Sequence, residues 1–393
     1  MKSFVYYTPT EIVFGKGVEE RSVEFVKKYG GSRVMLVYGG GSAVKSGLIG
    51  KIENLLKSEG NEVALFGGVK PNPLMSYARE GARKAIEFEA DMILAVGGGS
   101  AIDTAKAIAH GAANPQTDIS QFWKREKELT SSLPVGVVLT ISAAGSETSS
   151  SAVLTNEETG AKRGLTHDLN RPRFALMNPE LTYTLPPYQI ACGIADIMMH
   201  TLDRHFAITD AEFTTEAGEA LLRVVIENGA KAMKNPTDYN AMSELMWCGS
   251  VSHNGLTGLG EIPDFSVHQL GHELSAMFDV AHAASLTITW GSWAKYVYKT
   301  KPERFARYAE KVWGVERSGD DEKDAQIGIE KTVEYFKSIN MPTCFSESEI
   351  GVQSDEVISD LAQRCSFYEK RIVGQFKPID RNDIYNIYSM ANV

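Results

Sequence analysis

Up to about residue 185, short runs of aliphatic and β-branched residues alternate with segments whose apolar positions repeat at helical spacing. Arg33 to Tyr38 (RVMLVY) reads as a buried strand ending in Gly39-Gly40-Gly41-Ser42, and Val44, Leu48, Ile52, Leu55 and Leu56 then share one helical face. Asn61 to Phe66 reads as a second strand, and Pro73 to Glu89 as a helix opened by proline in its first turn. Asp91 to Val96 is a third strand, running into Gly97-Gly98-Gly99-Ser100 and a helix through Ala101, Ile102, Ala105 and Ile108. Pro134 to Thr140 is a fourth. Strands alternating with helices predict parallel pairing in a doubly wound sheet. From about Pro186 long helical periods take over, at 188–206, 210–233, 240–255, 266–277, 281–298, 302–312, 324–339 and 354–365. The pattern predicts an α/β dinucleotide-binding domain over 1–185 and an all-helical domain over 186–393, packed directly with a cleft between them.

A length of 393 residues agrees with two domains, and 43% apolar with 23% charged residues is an ordinary globular balance. A net charge of −10 argues against a nucleic-acid partner. Cys192, Cys248, Cys344 and Cys365 lie far apart without a CxxC pair, which suits free thiols in a reducing compartment. The N-terminus is interrupted by Thr8, Pro9, Thr10 and Glu11 before a signal-peptide core accumulates, and nothing approaches the ~18 apolar residues of a membrane span. The expectation is a cytoplasmic protein with no membrane partner.

Glycines after a buried strand, opening a helix, make an anion site. Without Cβ atoms the backbone approaches a phosphate closely, and a helix N-terminus offers unpaired N–H groups. Gly97, Gly98, Gly99 and Ser100, leading into Asp103, form the candidate for a pyrophosphate. Gly39, Gly40, Gly41 and Ser42 carry no carboxylate where a ribose 2′-hydroxyl reader usually stands, which favours NADP(H) over NAD; a plain tight turn is the bland alternative. The small-residue loop 140–147 could hold ribose or adenine through Thr140 and Ser142. Lys162, in a turn over 157–162, is a candidate ribose contact, against the default of a solvated surface lysine.

The chain has eight histidines and places three, His268, His272 and His282, within fifteen residues. His268 and His272 are four apart, as are Asp196 and His200, so each pair aims two side chains from one helical face. Asp196 and His200 sit among Ile194, Ala195, Ile197, Met198 and Met199, where a charged carboxylate is costly unless a cation pairs with it. One carboxylate and three imidazoles at these spacings read as a single divalent-metal site, and Fe2+ and Zn2+ suit it equally. His272 stands one turn past His268, placed to line the pocket or carry protons.

These residues, with Phe14–Gly17, Gly145-Ser146-Glu147 and Asn178-Pro179-Glu180-Leu181, resemble the iron-containing (group III) alcohol dehydrogenases over nearly the whole chain. Within them the chain looks most like the NADP(H)-dependent butanol dehydrogenase and aldehyde reductase branch. The resemblance implies metal ligands at Asp196, His200, His268 and His282, an active-site neighbour at His272, catalysis in the interdomain cleft, and a homodimer through an edge near residues 4–14. It also implies reversible hydride transfer between NADP(H) and a small primary alcohol or aldehyde. The loop at 140–147 departs from the longer Thr-Gly-rich form of many members. Rival readings are a glycerol-type polyol dehydrogenase with NAD and zinc, a dehydroquinate-synthase-like enzyme, and an idle nucleotide-binding protein.

Overall fold

In the first half of the chain, eight strands and six helices form, and the four expected strands are among them. The computed structural model describes residues 1–393. The strands are β1 (Glu11–Phe14), β2 (Arg33–Gly39), β3 (Glu62–Val69), β4 (Met92–Gly97), β5 (Val135–Leu139), β6 (Ser151–Asn156), β7 (Ala161–Thr166) and β8 (Phe174–Met177). The helices are α1 (Ser22–Lys28), α2 (Ser42–Lys45), α3 (Leu48–Ser58), α4 (Met75–Glu87), α5 (Gly99–Ala113) and α6 (Ser120–Trp123).

Six strands make one parallel sheet in the order β1-β8-β5-β4-β2-β3, while β6 and β7 pair separately as an antiparallel hairpin. Alternate residues of each strand face opposite layers. Val34 and Leu36 join Phe25, Val26, Ile49, Ile52 and Leu56 from α1 and α3. Met35 and Val37 join Ala85, Ile102, Ala105 and Ile108 from α4 and α5 on the other face. The sheet is doubly wound because both faces are apolar and need cover. From β2 the chain steps outward to β3, then returns past β2 to β4, which pairs directly with β2. The strand order reverses there, and both glycine loops leave the carboxyl ends of these two strands, the position where open α/β sheets bind ligands.

Several expectations need correction. The helix after Gly39–Ser42 is broken: α2 has four residues, and Gly47 at φ 77° separates it from α3. Pro73 stands outside α4, whose N-cap is Leu74, because its carbonyl is engaged by Thr155 N at 2.8 Å. The hairpin β6–β7 and the strands β1 and β8 add to the expected elements, because β7 (AKRGLT) is mostly polar and β1 and β8 span only four residues each.

The later helices are α7 (Pro187–His205), α8 (Glu212–Lys234), α9 (Tyr239–His253), α10 (Ser266–Phe278), α11 (His282–Val297), α12 (Pro302–Trp313), α13 (Asp321–Ser338), α14 (Asp355–Cys365) and α15 (Arg381–Ala391). The chain divides into two compact units, but not at one cut. One comprises Tyr7–Pro186 with Pro236–Asn254; the other comprises Met1–Tyr6, Pro187–Asn235 and Gly255–Val393. Helix α9 therefore belongs with the sheet, where its Met246 joins Met35, Ala95 and Met177. The helical unit centres on Phe206, Trp293, Phe305, Tyr308 and Phe376, whose rings lie within 6.3 Å of Phe206. All four cysteines are free thiols, and no helix is long and apolar enough to cross a membrane.

One buried histidine in the α/β unit sets an acid limit. Asn170 Nδ2 donates to the carbonyls of Ser150 and Leu165, so its Oδ1 accepts from His110 Nε2 at 2.7 Å. Burial pushes the His110 imidazole down to about 4 from its usual 6.5. As pH falls through that window the unfolded chain takes up a proton that the native state refuses. Native stability is therefore lost, by about 3 kcal/mol from this group alone. Urea unfolding of wild type and His110→Gln between pH 7 and 4 is expected to show the shallower decline in the variant. Parallel declines would mean that His110 is not the buried base.

Candidate metal centre

Asp196 and His200 lie one turn apart on α7, both side chains less than a tenth exposed. His268 lies on α10, which ends at Phe278; Asp279 at φ 53° turns the chain, and His282 is the first residue of α11. The reversal returns His282 to His268, with ring centroids 5.5 Å apart, and His200 stands 4.4 Å from His268 by the same measure. Asp196 Oδ1 lies 3.5 Å from His200 Nε2 and 3.9 Å from His282 Nε2. Ligand atoms of Asp196, His268 and His282 all lie within 4.8 Å of one another.

These separations fit a shared cation. Nitrogen and oxygen ligands about 2.0–2.2 Å from one tetrahedral ion stand roughly 3.3 Å from each other. His268 makes the same point chemically. Its Nδ1 meets a carboxylate oxygen of Asp203, while its buried Nε2 has no hydrogen-bond partner in the protein. A buried imidazole nitrogen left open beside a carboxylate is suited to serve as a metal ligand. His272, a turn further along α10, lies with its ring 5.6 Å from that of His282 and 6.4 Å from that of His268. The structure thus brings together all five residues singled out in the helical half.

The candidate glycines, with Ser42, Ser100, Thr140 and Ser142, lie at or just beyond the carboxyl ends of β2, β4 and β5, for differing reasons. A Cβ on Gly98 would lie 2.0 Å from Ile141 Cγ2, and one on Gly97 would lie 2.8 Å from Ala101 Cβ. Packing alone demands glycine at both. At Gly41 a Cβ would meet nothing within 4 Å, so the fold itself does not demand glycine there and leaves the backbone open to a ligand. Gly98 caps α5, placing the first free N–H groups of that fifteen-residue helix at Gly99 and Ser100. Thr140 follows β5, its N–H bonded to Gly97 O at 3.2 Å, and Ser142 presents a buried hydroxyl with no partner in the protein. That orphaned hydroxyl, the open glycines and the helix end fit a dinucleotide.

Two expected contacts are also engaged within the protein. Asp103 accepts from Ser146 Oγ at 2.6 Å and Val153 N at 2.9 Å, so it pins the 140–151 loop from α5. Lys106 joins it there, donating to Ser146 Oγ and Ser151 O, both at 2.7 Å, and burial lowers its ammonium to about 8. Lys162 is neither in a turn nor at the surface. It is buried on β7, with Nζ 2.8 Å from Asn72 Oδ1. Sequence reading missed Asn72, which no spacing rule connects to Lys162. It also missed Asp203, although its place seven residues beyond Asp196 on one helix was a usable signal.

Comparison with known proteins identifies one family over nearly the whole chain. Residues 9–179 match the family model for iron-containing alcohol dehydrogenase, and residues 190–392 match the model for the C-terminal part of the Fe-containing alcohol dehydrogenase family. NADH-dependent butanol dehydrogenase A of Clostridium acetobutylicum is 38% identical over 395 residues, covering 100% of both chains. The NADPH-dependent aldehyde reductase YqhD of Escherichia coli is 37% identical over 352 residues, covering 88% of this chain and 89% of its own. The crystal structure of NADH-dependent butanol dehydrogenase A from Thermotoga maritima superposes with a TM-score of 0.95 at 32% identity, covering 100% of this chain and 99% of that one.

Proposed function

The chain belongs to the iron-containing alcohol dehydrogenase family, and from that premise we propose that it interconverts a small primary alcohol and its aldehyde by hydride exchange with NADP(H). The observation that carries this reading is the open His268 Nε2 beside Asp196, His200 and His282. When bound, Fe2+ or Zn2+ supplies a Lewis acid for the substrate oxygen and the nicotinamide supplies or accepts the hydride. Asp196, His200, His268 and His282 hold the ion. One carboxylate and three neutral imidazoles leave a divalent cation with a residual positive charge, suited to an oxygen on which negative charge grows. His272 lines the reacting centre, and its ring nitrogen is the candidate carrier for the proton that the hydroxyl releases.

The preference for NADP(H) rests on the rim of the sheet. Gly39 of β2 registers with Val69 of β3, so Lys70 follows the carboxyl end of the neighbouring strand, and Lys45 lies on α2. Both lysines are exposed, and residues 38–50 and 66–74 contain no acidic side chain. Cations without carboxylates suit a 2′-phosphate. We further read the protein as cytoplasmic, with no nucleic-acid or membrane partner, and as a homodimer. Strand β1 ends the sheet, and the preceding Phe4, Val5, Tyr6 and Tyr7 are exposed by 43–91%.

Purified protein given butanal is expected to consume NADPH with kcat/KM at least about tenfold above that for NADH, while elemental analysis finds about one divalent ion per chain. A preference for NADH would overturn the cofactor choice. Activity with neither cofactor would overturn the function.

A further inference from the structure

His268 can serve as a ligand only in one tautomer, and a second carboxylate from α7 selects it. A neutral imidazole carries its proton on one nitrogen and its lone pair on the other. Asp203 lies two turns beyond Asp196 on the same stripe of α7, its side chain 1% exposed, and its Oδ2 meets His268 Nδ1. An ionised carboxylate only accepts, so this contact requires the proton on Nδ1 and leaves the lone pair on Nε2, the nitrogen without a protein partner. From this geometry we infer that Asp203 is a positioning residue, which fixes the tautomer and ring orientation of His268 before a metal arrives.

The surroundings are built to keep Asp203 in place. Asp264 N donates to Asp203 O at 2.8 Å, tying the start of α10 to the end of α7. Asp264 then accepts from Ser266 N at 3.0 Å, and from Gln375 N and Phe376 N, both at 2.7 Å, which anchors the turn that launches α10. The adjacent Arg204 is buried, donates to His200 O at 2.6 Å and packs its guanidinium 4.8 Å over the Phe265 ring. Its positive charge interacts favourably with Asp203, although burial disfavours the guanidinium charge. The carboxylate, the imidazole and the backbone at the start of α10 are therefore tied together by hydrogen bonds. A buried acid serving only to join helices would accept from backbone N–H groups, as Asp264 does; Asp203 spends its oxygen on the ligand's far nitrogen.

This inference rests on the reading of His268 as a metal ligand, and its test separates the two. Zn2+ binding to the full-length protein would be measured by chelator competition in wild type, Asp203→Ala and Asp203→Asn. Asp203→Ala is expected to weaken Zn2+ binding roughly 10–100-fold. Asp203→Asn, which keeps an acceptor oxygen at the same place, is expected to lose less. Nitrogen-15 spectra of histidine-labelled wild type before Zn2+ addition are expected to show His268 protonated on Nδ1, and this readout needs no variant to fold. Wild-type Zn2+ affinity in folded Asp203→Ala, or a His268 proton on Nε2 in wild type, would overturn the role of Asp203 and leave the ligand assignment standing. A wild-type protein that takes up no Zn2+ would overturn the ligand assignment, and the role of Asp203 with it.

Discussion

His268→Ala is expected to give a folded protein that has lost most of its metal and at least roughly a thousandfold of its kcat/KM for butanal, since a Lewis acid contributes several kcal/mol to a developing oxyanion. The reason is local. His268 contributes the open Nε2 that completes the cluster with Asp196 and His282, while Asp203 already occupies its other nitrogen. Removing the imidazole takes away one donor of four and leaves the Asp203 carboxylate buried without its partner. The loss should follow the metal: elemental analysis and turnover should fall together, and the circular dichroism spectrum should stay native. Full metal content with full turnover would remove His268 from the ligand set and dissolve the chemistry proposed here.

Gly98→Ala is expected to strike the other half of the reaction and spare the metal. Its new Cβ would lie 2.0 Å from Ile141 Cγ2, a β-branched atom with no flexible end to swing aside. Ile141 must move, and with it the loop whose Ser142 hydroxyl is buried without a protein partner. A displacement near 1 Å of groups that position reactants costs on the order of 10² in rate. The expected result is therefore a loss of about 10² in kcat/KM for NADPH, with metal content unchanged and stability lower by about 1–3 kcal/mol from overpacking. Stopped-flow binding of NADPH and metal analysis on the same sample would distinguish this from general unfolding. Wild-type NADPH binding would show that the loop 140–146 takes no part in holding the cofactor.

The rivals to the proposed reaction meet the same observations differently. A glycerol-type polyol dehydrogenase would need the same hydride chemistry, so the cofactor preference and the substrate panel separate it from an aldehyde reductase. An idle nucleotide-binding protein has no use for a buried imidazole held in one tautomer beside three other potential ligands. The curated relatives include NADH- and NADPH-dependent proteins at similar identity, so overall similarity does not choose the cofactor. The proposed preference rests on Lys45, Lys70 and the lack of acidic residues in 38–50 and 66–74.

Periodicity along the chain determined the two textures, the four central strands and the long helices, because burial repeats every two or 3.6 residues wherever an element has one apolar face. Spacing also determined the metal candidates, since residues four apart on a helix share a face before any tertiary contact exists. Other features required the folded chain. Strands β1 and β8 are four residues long, too short for a period to declare itself, and exist because each completes the edge of a parallel neighbour. Helix α9 lies in the sequence of the helical half yet packs with the sheet, a choice made by Met246 finding its cover there. Lys162 reads as surface charge until Asn72, ninety residues away, accepts its hydrogen bond in the interior. The seven-residue spacing puts Asp203 on the stripe of Asp196, but its partner is defined only when α10 lays His268 against it. Local pattern fixes which face of an element is apolar; which partner covers that face, and which polar group is thereby buried beside another, depends on contacts between residues far apart in the chain, and only folding makes them.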